Sequence, residues 1–252
     1  MMHGRCVPVV TALLIGAMAS AHAAEIALYD TGPAEDAAFV RFVNAGSTPV
    51  EVAASGSKAR LALTDTRPAS DYLPVRGGSA IKGAMTTGAT SAAIDLKVAP
   101  GEFVTVIGVP ASTASALLAA SGRTSTSAAS KGPGPVSAPL TLQVLRDSPD
   151  DFNALKSALA FYSAAPACAK AGLQVAGKAV DLFRDVAPAS IARRLINPVA
   201  LSVQLVCHGK PTGAVLSLGT LAAGQRYSVF AVPAAPADGG ARLIAATDVV
   251  AR

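Results

Sequence analysis

The chain predicts an all-β protein: two tandem small antiparallel β-sandwich domains, duplicated and joined by a Ser/Gly/Pro-rich linker. Three observations carry this. Short alternating or β-branched runs recur along its 252 residues, the pattern of half-buried strands. A segment nearly free of large apolar side chains splits these runs into two groups of similar size. Stretches of the second group then repeat the first in the same order.

The N-terminus is a separate element. Met1-Met2-His3-Gly4-Arg5-Cys6 precedes an apolar run over residues 7–19, and Ala21-His22-Ala23 offers a small-x-small cleavage site. A basic start, an apolar stretch too short to span a bilayer and such a site predict a secretory signal peptide over residues 1–23. Cys6 precedes the apolar run instead of following it, which argues against a lipoprotein. The mature chain then begins at Ala24 in an exported compartment, with His208 as its one histidine and Cys168 and Cys207 as its two cysteines.

Residues 24–122 form the expected N-terminal sandwich. Its strand candidates are Ala38-Phe39-Val40-Arg41-Phe42-Val43, Val50-Glu51-Val52, Arg60-Leu61-Ala62-Leu63, Ile94-Asp95-Leu96-Lys97-Val98 and Phe103-Val104-Thr105-Val106-Ile107. Asn44-Ala45-Gly46-Ser47 and Ala99-Pro100-Gly101-Glu102 punctuate them as turns, with Asn44 and Gly46 expected at positive φ and Phe39 in the core. The linker, residues 123–139, reads RTSTSAASKGPGPVSAP; such composition buries too little surface to offset chain entropy. Residues 140–252 form the expected C-terminal sandwich. One helical candidate interrupts it at residues 149–159, where Asp150 is placed to cap a short turn.

The repeat rests on four matches. Phe39-Val40-Arg41-Phe42 aligns with Leu159-Ala160-Phe161-Tyr162, and Pro68-Ala69-Ser70 with Pro188-Ala189-Ser190, both at an offset of 120. The stretch from Pro100 to Pro110 matches that from Ala223 to Pro233 at 123, and Leu117-Leu118-Ala119-Ala120 matches Leu243-Ile244-Ala245-Ala246 at 126. A slowly drifting offset is what duplication with small insertions produces. The copies differ in charge: residues 24–120 hold 7 basic and 9 acidic side chains, net −2, and residues 121–252 hold 13 and 7, net +6. That asymmetry reads either as a mildly basic solvated face or as one domain facing an acidic partner or polymer.

Composition narrows the function classes. Aromatic residues make up 4% of the chain and Trp is absent, while the apolar fraction of 51% is inflated by alanine. Recurrent Val/Leu/Ile segments exclude intrinsic disorder, and after signal removal no stretch is long and apolar enough for a membrane span. Cys168 and Cys207, an even pair in an exported chain, are expected as a disulfide. Closing their separation of 39 residues contributes about 4 kcal/mol in the chain-entropy estimate. Two cysteines and one histidine are too few for a closed zinc site, so no metal is expected.

Catalysis finds little material. Serine chemistry needs a base oriented by a carboxylate, and His208, between Cys207 and Gly209, reads as a hairpin-turn residue. No G-x-S-x-G elbow occurs. The stretch from Gly172 to Ala179 imitates a P-loop, but Ala179 replaces the Mg²⁺-binding hydroxyl and the context is strand and turn. Glu35-Asp36 and Asp150-Asp151 are adjacent pairs whose carboxylates diverge, which suits neither acid nor base work. Basic residues are scattered without interleaved aromatics, against nucleic-acid binding. No catalytic residues and no cofactor are therefore expected.

One resemblance adds to this. Ala27-Leu28-Tyr29-Asp30, then Ala38-Phe39-Val40-Arg41-Phe42-Val43-Asn44-Ala45-Gly46, resembles the opening of the AlgF family, accessory proteins of alginate O-acetylation. Asn197-Pro198-Val199 and the alternating segment after it are similar to that family's C-terminal N-P-V strand. The resemblance implies a periplasmic, non-catalytic adaptor of an exopolysaccharide O-acetylation complex. Its implied partners are periplasmic O-acetyltransferase subunits and a membrane-bound O-acyltransferase, with an anionic polysaccharide as a further one. Tyr29 and Arg41 are the implied partner contacts, since an aromatic and an arginine suit interface anchoring. The alternatives are an exported carbohydrate-binding sandwich for an acidic polysaccharide, without an acetylation role, and a general chaperone-like sandwich.

Overall fold

A computed structural model describes residues 1, 36–110, 140–149, 152–234 and 240–251. The chain divides into a short unit, Met1–Gly32, and a large unit, Pro33–Arg252; the fold is that of the large unit. The expected signal peptide after Met1, the expected linker, Tyr29 and Asp150 lie outside the described residues.

The described residues form sixteen strands and no helix. In the first half these are β1 (Ala37–Asn44), β2 (Val50–Ala54), β3 (Leu61–Leu63), β4 (Leu73–Arg76), β5 (Ala80–Thr87), β6 (Thr90–Lys97), β7 (Phe103–Pro110) and β8 (Leu140–Asp147). The second half contains β9 (Ser157–Ser163), β10 (Ala171–Val175), β11 (Asp181–Val186) and β12 (Ser190–Ile196), then β13 (Ala200–Cys207), β14 (Lys210–Thr220), β15 (Arg226–Pro233) and β16 (Ala241–Thr247). The sheet orders are β4-β1-β7-β8 and β3-β2-β5-β6 in one half, β12-β9-β15-β16 and β11-β10-β13-β14 in the other. Adding eight to every strand of the first half gives the second. This is the duplicated pair of sandwiches that the sequence predicts.

The pairing is mostly antiparallel, with one parallel pair in each half, β1 with β7 and β9 with β15. The chain crosses to the opposite sheet and returns between the members of each pair, so they meet running the same way. Alternation explains the two sandwich cores. Ala38, Val40 and Phe42 of β1 point into the first with Val104 and Val106, and Leu159 and Phe161 of β9 point into the second with Leu173, Val203 and Leu205. The opposite faces of β1, β7, β9 and β15 meet in a third core, where Val43 and Ile107 pack with Tyr162 and Phe230. These central strands are covered on both faces, which is why they read as nearly continuous apolar runs.

Four expectations are corrected. Residues 152–159 contain no helix: Asn153 Oδ1 accepts from the Leu155 N–H at 2.9 Å in a turn, and from Ser157 every residue of β9 is buried in sheet pairing. A buried strand and a buried helix leave the same apolar run. The repeat register in β9 is one residue off. The Phe39 N–H to Glu102 C=O bond and the Ala158 N–H to Gln225 C=O bond are equivalent, so the offset is 119 and Arg41 corresponds to Ala160, not Phe161. A one-residue slip exchanges the faces of a strand. Phe39 alternates with Ala38 and Val40, so it points away from the first core and stacks on Phe103 with ring centroids 4.4 Å apart. Neither Asn44 nor Gly46 has positive φ; Asn44 Oδ1 accepts from the Gly46 N–H at 2.9 Å, and a Cβ on Gly46 would lie 2.8 Å from Pro110.

Leu140–Asp147, the strand at the start of the expected C-terminal segment, hydrogen-bonds to β7 of the first half along its whole length. Arg146 clamps it there, donating to Glu102 at 2.8 Å and to the Lys97 carbonyl at 3.0 Å. Burial works against the Glu102 carboxylate, but the bonds from Arg146 and the Ala99 N–H outweigh it and hold its pKa low. β8 is thus the counterpart of β16, the place that the sequence match assigned to Leu117-Leu118-Ala119-Ala120, which lie outside the described residues.

Candidate functional site

The seam between the sandwiches gathers the most unusual chemistry of the described residues. Arg41 projects from β1 into it and is 1% exposed. Its Nε donates to Thr105 Oγ1 at 2.9 Å, Nη1 to Asp248 Oδ1 at 2.5 Å and Nη2 to Ser228 Oγ at 2.8 Å. The guanidinium carbon lies 4.4, 4.9 and 4.7 Å from the ring centroids of Tyr72, Tyr162 and Phe230, within cation–π range. Burial disfavours the Arg41 charge; the facing Tyr162, Asp248 and Tyr72 more than compensate and raise its pKa.

A second ion pair also joins the halves. Arg193 on β12 pairs with Asp147 at the end of β8, with Nε 3.2 Å from Oδ1 and Nη2 on Oδ2. Asp147, the last residue of β8, and Asp248, directly after β16, hold equivalent places in the two halves, so each half supplies an acid to the other's arginine. Tyr162 links the clusters, its hydroxyl 3.4 Å from Tyr72 Oη and donating to Asp147 Oδ2 at 3.4 Å. Burial pushes the Tyr72 phenol far above its ordinary pKa, with Arg41 opposing and Tyr162 and Asp248 adding to the rise. The C-terminal residues close the seam, the Val249 carbonyl accepting from the Tyr72 N–H and the Ala251 N–H donating to its carbonyl, both at 2.8 Å.

The site expectations fall out unevenly. Arg41, expected as a contact to an external partner, is instead enclosed by its own chain, because it stands on the face of β1 that meets the second sandwich. Its run of apolar neighbours on both faces was the available signal. Cys168 and Cys207 are bridged, with Cα atoms 5.1 Å apart. His208 and Gly209 form the two-residue turn between β13 and β14, with φ of 52° and 77°, the geometry of a tight hairpin. The His208 ring nitrogen Nε2 lies 3.2 Å from the Ala167 carbonyl oxygen. The P-loop look-alike is β10 and the turn after it. Among the described residues no three His, Cys, Asp or Glu side chains cluster as a metal ion requires, and no helix is long and apolar enough to cross a membrane.

Two surface features escaped the sequence reading. A polar cleft of about 360 Å³ on the second sandwich is lined by Lys170, Gln174, Asp181, Arg184 and Asp185 over the bare backbone of Gly172, with Arg184 already paired to Asp181 at 2.5 Å. Phe152 and Leu155, in the segment before β9, are 69% and 79% exposed.

Fold and seam together define two fused, duplicated β-sandwiches joined by a buried Arg41–Asp248 pair and a part-buried Arg193–Asp147 pair. No family model and no curated protein matches the chain. Among solved structures it is similar to the C-terminal domain of AlgF from P. aeruginosa, at 22% identity and a TM-score of 0.30, over 37% of this chain and 98% of that one. It is also similar to a putative cell adhesion protein from Bacteroides ovatus, at 10% identity and a TM-score of 0.24, over 88% of this chain and all of that one. Both scores are low, and nothing about function is drawn from them.

Proposed function

We propose that the protein is an exported, periplasmic, non-catalytic adaptor in an exopolysaccharide O-acetylation complex, acting on alginate or a similar polymer. The observation that carries the reading is the A-F-V-R-F-V-N-A-G motif of residues 38–46, which resembles the AlgF opening. Two fused sandwiches and the exposed Phe152 and Leu155 suit a protein that holds others together, and the partners are the periplasmic O-acetyltransferase subunits and the membrane-bound O-acyltransferase. Deleting the chain from its cell removes acetyl esters from the secreted polymer, and the purified mature chain transfers none. Phe152→Ser with Leu155→Ser lowers ester content while the purified variant melts as the parent does. Acetyl transfer by the isolated chain, or unchanged ester content after deletion, overturns the reading.

The polar cleft favours a second reading, binding of an acidic glycan without a role in acetylation. Its cations, Lys170 and Arg184, face two aspartates in the same cleft. Titration with oligouronates that shows no saturable binding removes it.

A further inference from the structure

The two sandwiches are copies, yet the outer faces of two equivalent sheets differ. Val52 of β2 and Leu173 of β10 hold corresponding places: each is buried, each pairs with a buried residue of the next strand, Met85 or Leu205, and each lies opposite an edge-strand residue, Leu61 or Phe183. Glu51 and Gly172 precede them and therefore correspond. Both face outward, since successive residues of a strand alternate. In the first sandwich the Glu51 side chain covers this face, its Oε1 3.1 Å from Arg60 Nε. In the second no side chain stands there, and the bare Gly172 backbone floors the cleft of about 360 Å³. That volume is at the lower end of small-molecule sites, about 300–1,000 Å³.

The walls carry polar groups without partners. β11 pairs Val186 with Ala171 and Phe183 with Leu173 of β10, so a bulge sets two residues, Arg184 and Asp185, against Gly172. A bulge re-aims side chains, and Asp185 takes a φ of 49° within it. Lys170 and Gln174 stand two residues either side of Gly172 and share its face. Val206, opposite Gly172 on β13, adds an apolar wall. Arg184 is engaged with Asp181. Among the described residues, the side chains of Lys170, Gln174 and Asp185 make no hydrogen bond or ion pair, although Lys170 and Asp185 bring opposite charges to one cleft. An ammonium, an amide and a carboxylate that do not satisfy one another suit a ligand offering an anion to the first and hydroxyls to the other two. A pyranose ring bearing a carboxylate does this, and its C–H face suits Val206.

We propose that this cleft is a subsite for one hexuronate residue of a polysaccharide, with the carboxylate on Lys170 and ring hydroxyls on Asp185 and Gln174. The assignment rests on the acidic-glycan reading of the cleft and is independent of the adaptor reading. Calorimetric titration of the mature protein with trimannuronate and with trigalacturonate tests it, and neutral maltotriose is the control. One saturable site per chain is expected for at least one uronate, with maltotriose about tenfold weaker or worse. Gly172→Glu, which copies the first sandwich, fills the cleft and abolishes binding. A Cβ at Gly172 would lie 3.0 Å from the Phe183 carbonyl oxygen, so Lys170→Gln is the second variant should the first fail to fold; it weakens binding about tenfold. Lys156→Gln removes a cation of the same half outside the cleft and leaves binding unchanged. Absence of saturation overturns the subsite and the acidic-glycan reading together. Saturable binding that survives Lys170→Gln or a folded Gly172→Glu overturns the subsite alone. So does equal binding of maltotriose, or an equal loss in Lys156→Gln, which marks diffuse attraction to the basic half.

Discussion

Replacing Arg41 by Met removes the cation from the seam and strands Asp248, whose side chain is 7% exposed. At the observed 2.5 Å and an effective dielectric constant of about 20, the gross attraction is about 7 kcal/mol. Desolvating the two ions cancels much of it, so the pair's net worth over an apolar filling is small. Losing one partner is a different matter, because the Asp248 carboxylate keeps only Ser228 Oγ of the side-chain donors now seen, at 2.7 and 2.9 Å. Such uncompensated buried charges cost about 3–5 kcal/mol, a large part of a typical domain's stability. Arg41→Met is expected to lose that amount, and Arg41→Met with Asp248→Leu to regain at least about 2 kcal/mol of it. Urea unfolding followed by circular dichroism and tyrosine fluorescence measures both, since the chain has four Tyr and no Trp. A loss below about 1 kcal/mol for the single variant, or strictly additive losses in the double, would refute the view that this pair holds the seam.

Two further outcomes follow from the same structure. Cys168→Ser with Cys207→Ser opens a loop spanning 39 residues and is expected to cost about 4 kcal/mol, read from urea midpoints; a cost under about 1 kcal/mol would make the bridge incidental to folding. Tyr72 has a native pKa raised chiefly by burial, so its contribution is complete below the unfolded phenol's pKa of about 10. It is lost as pH rises further, at up to about 1.4 kcal/mol per pH unit. Unfolding between pH 9 and 11 should show this slope, and Tyr72→Phe should flatten it; an unchanged slope contradicts the assignment.

The local features of this protein are legible in its sequence because they depend on near neighbours. Alternation in Val50-Glu51-Val52 marks a strand whatever it packs against, and His208-Gly209 makes a hairpin turn because both residues accept positive φ. Cys168 and Cys207 are bridged, as the sequence predicts. The duplication is visible too, since copied strands keep their apolar spacing. What only the tertiary structure decided is which face of a strand meets which neighbour. β1 and β9 are apolar on both sides because both sides are buried, so their alternation carries no register: the sequence match set Arg41 against Phe161, the strands set it against Ala160, and only the structure shows that Arg41 faces the seam. For the same reason β8 looks like the start of a new domain until its hydrogen bonds to β7 are seen. The two sandwich interiors likewise differ because Phe183, which stacks on Phe161, has no aromatic equivalent opposite Val52, where Leu61 stands, a relation between strands that lie far apart in the chain.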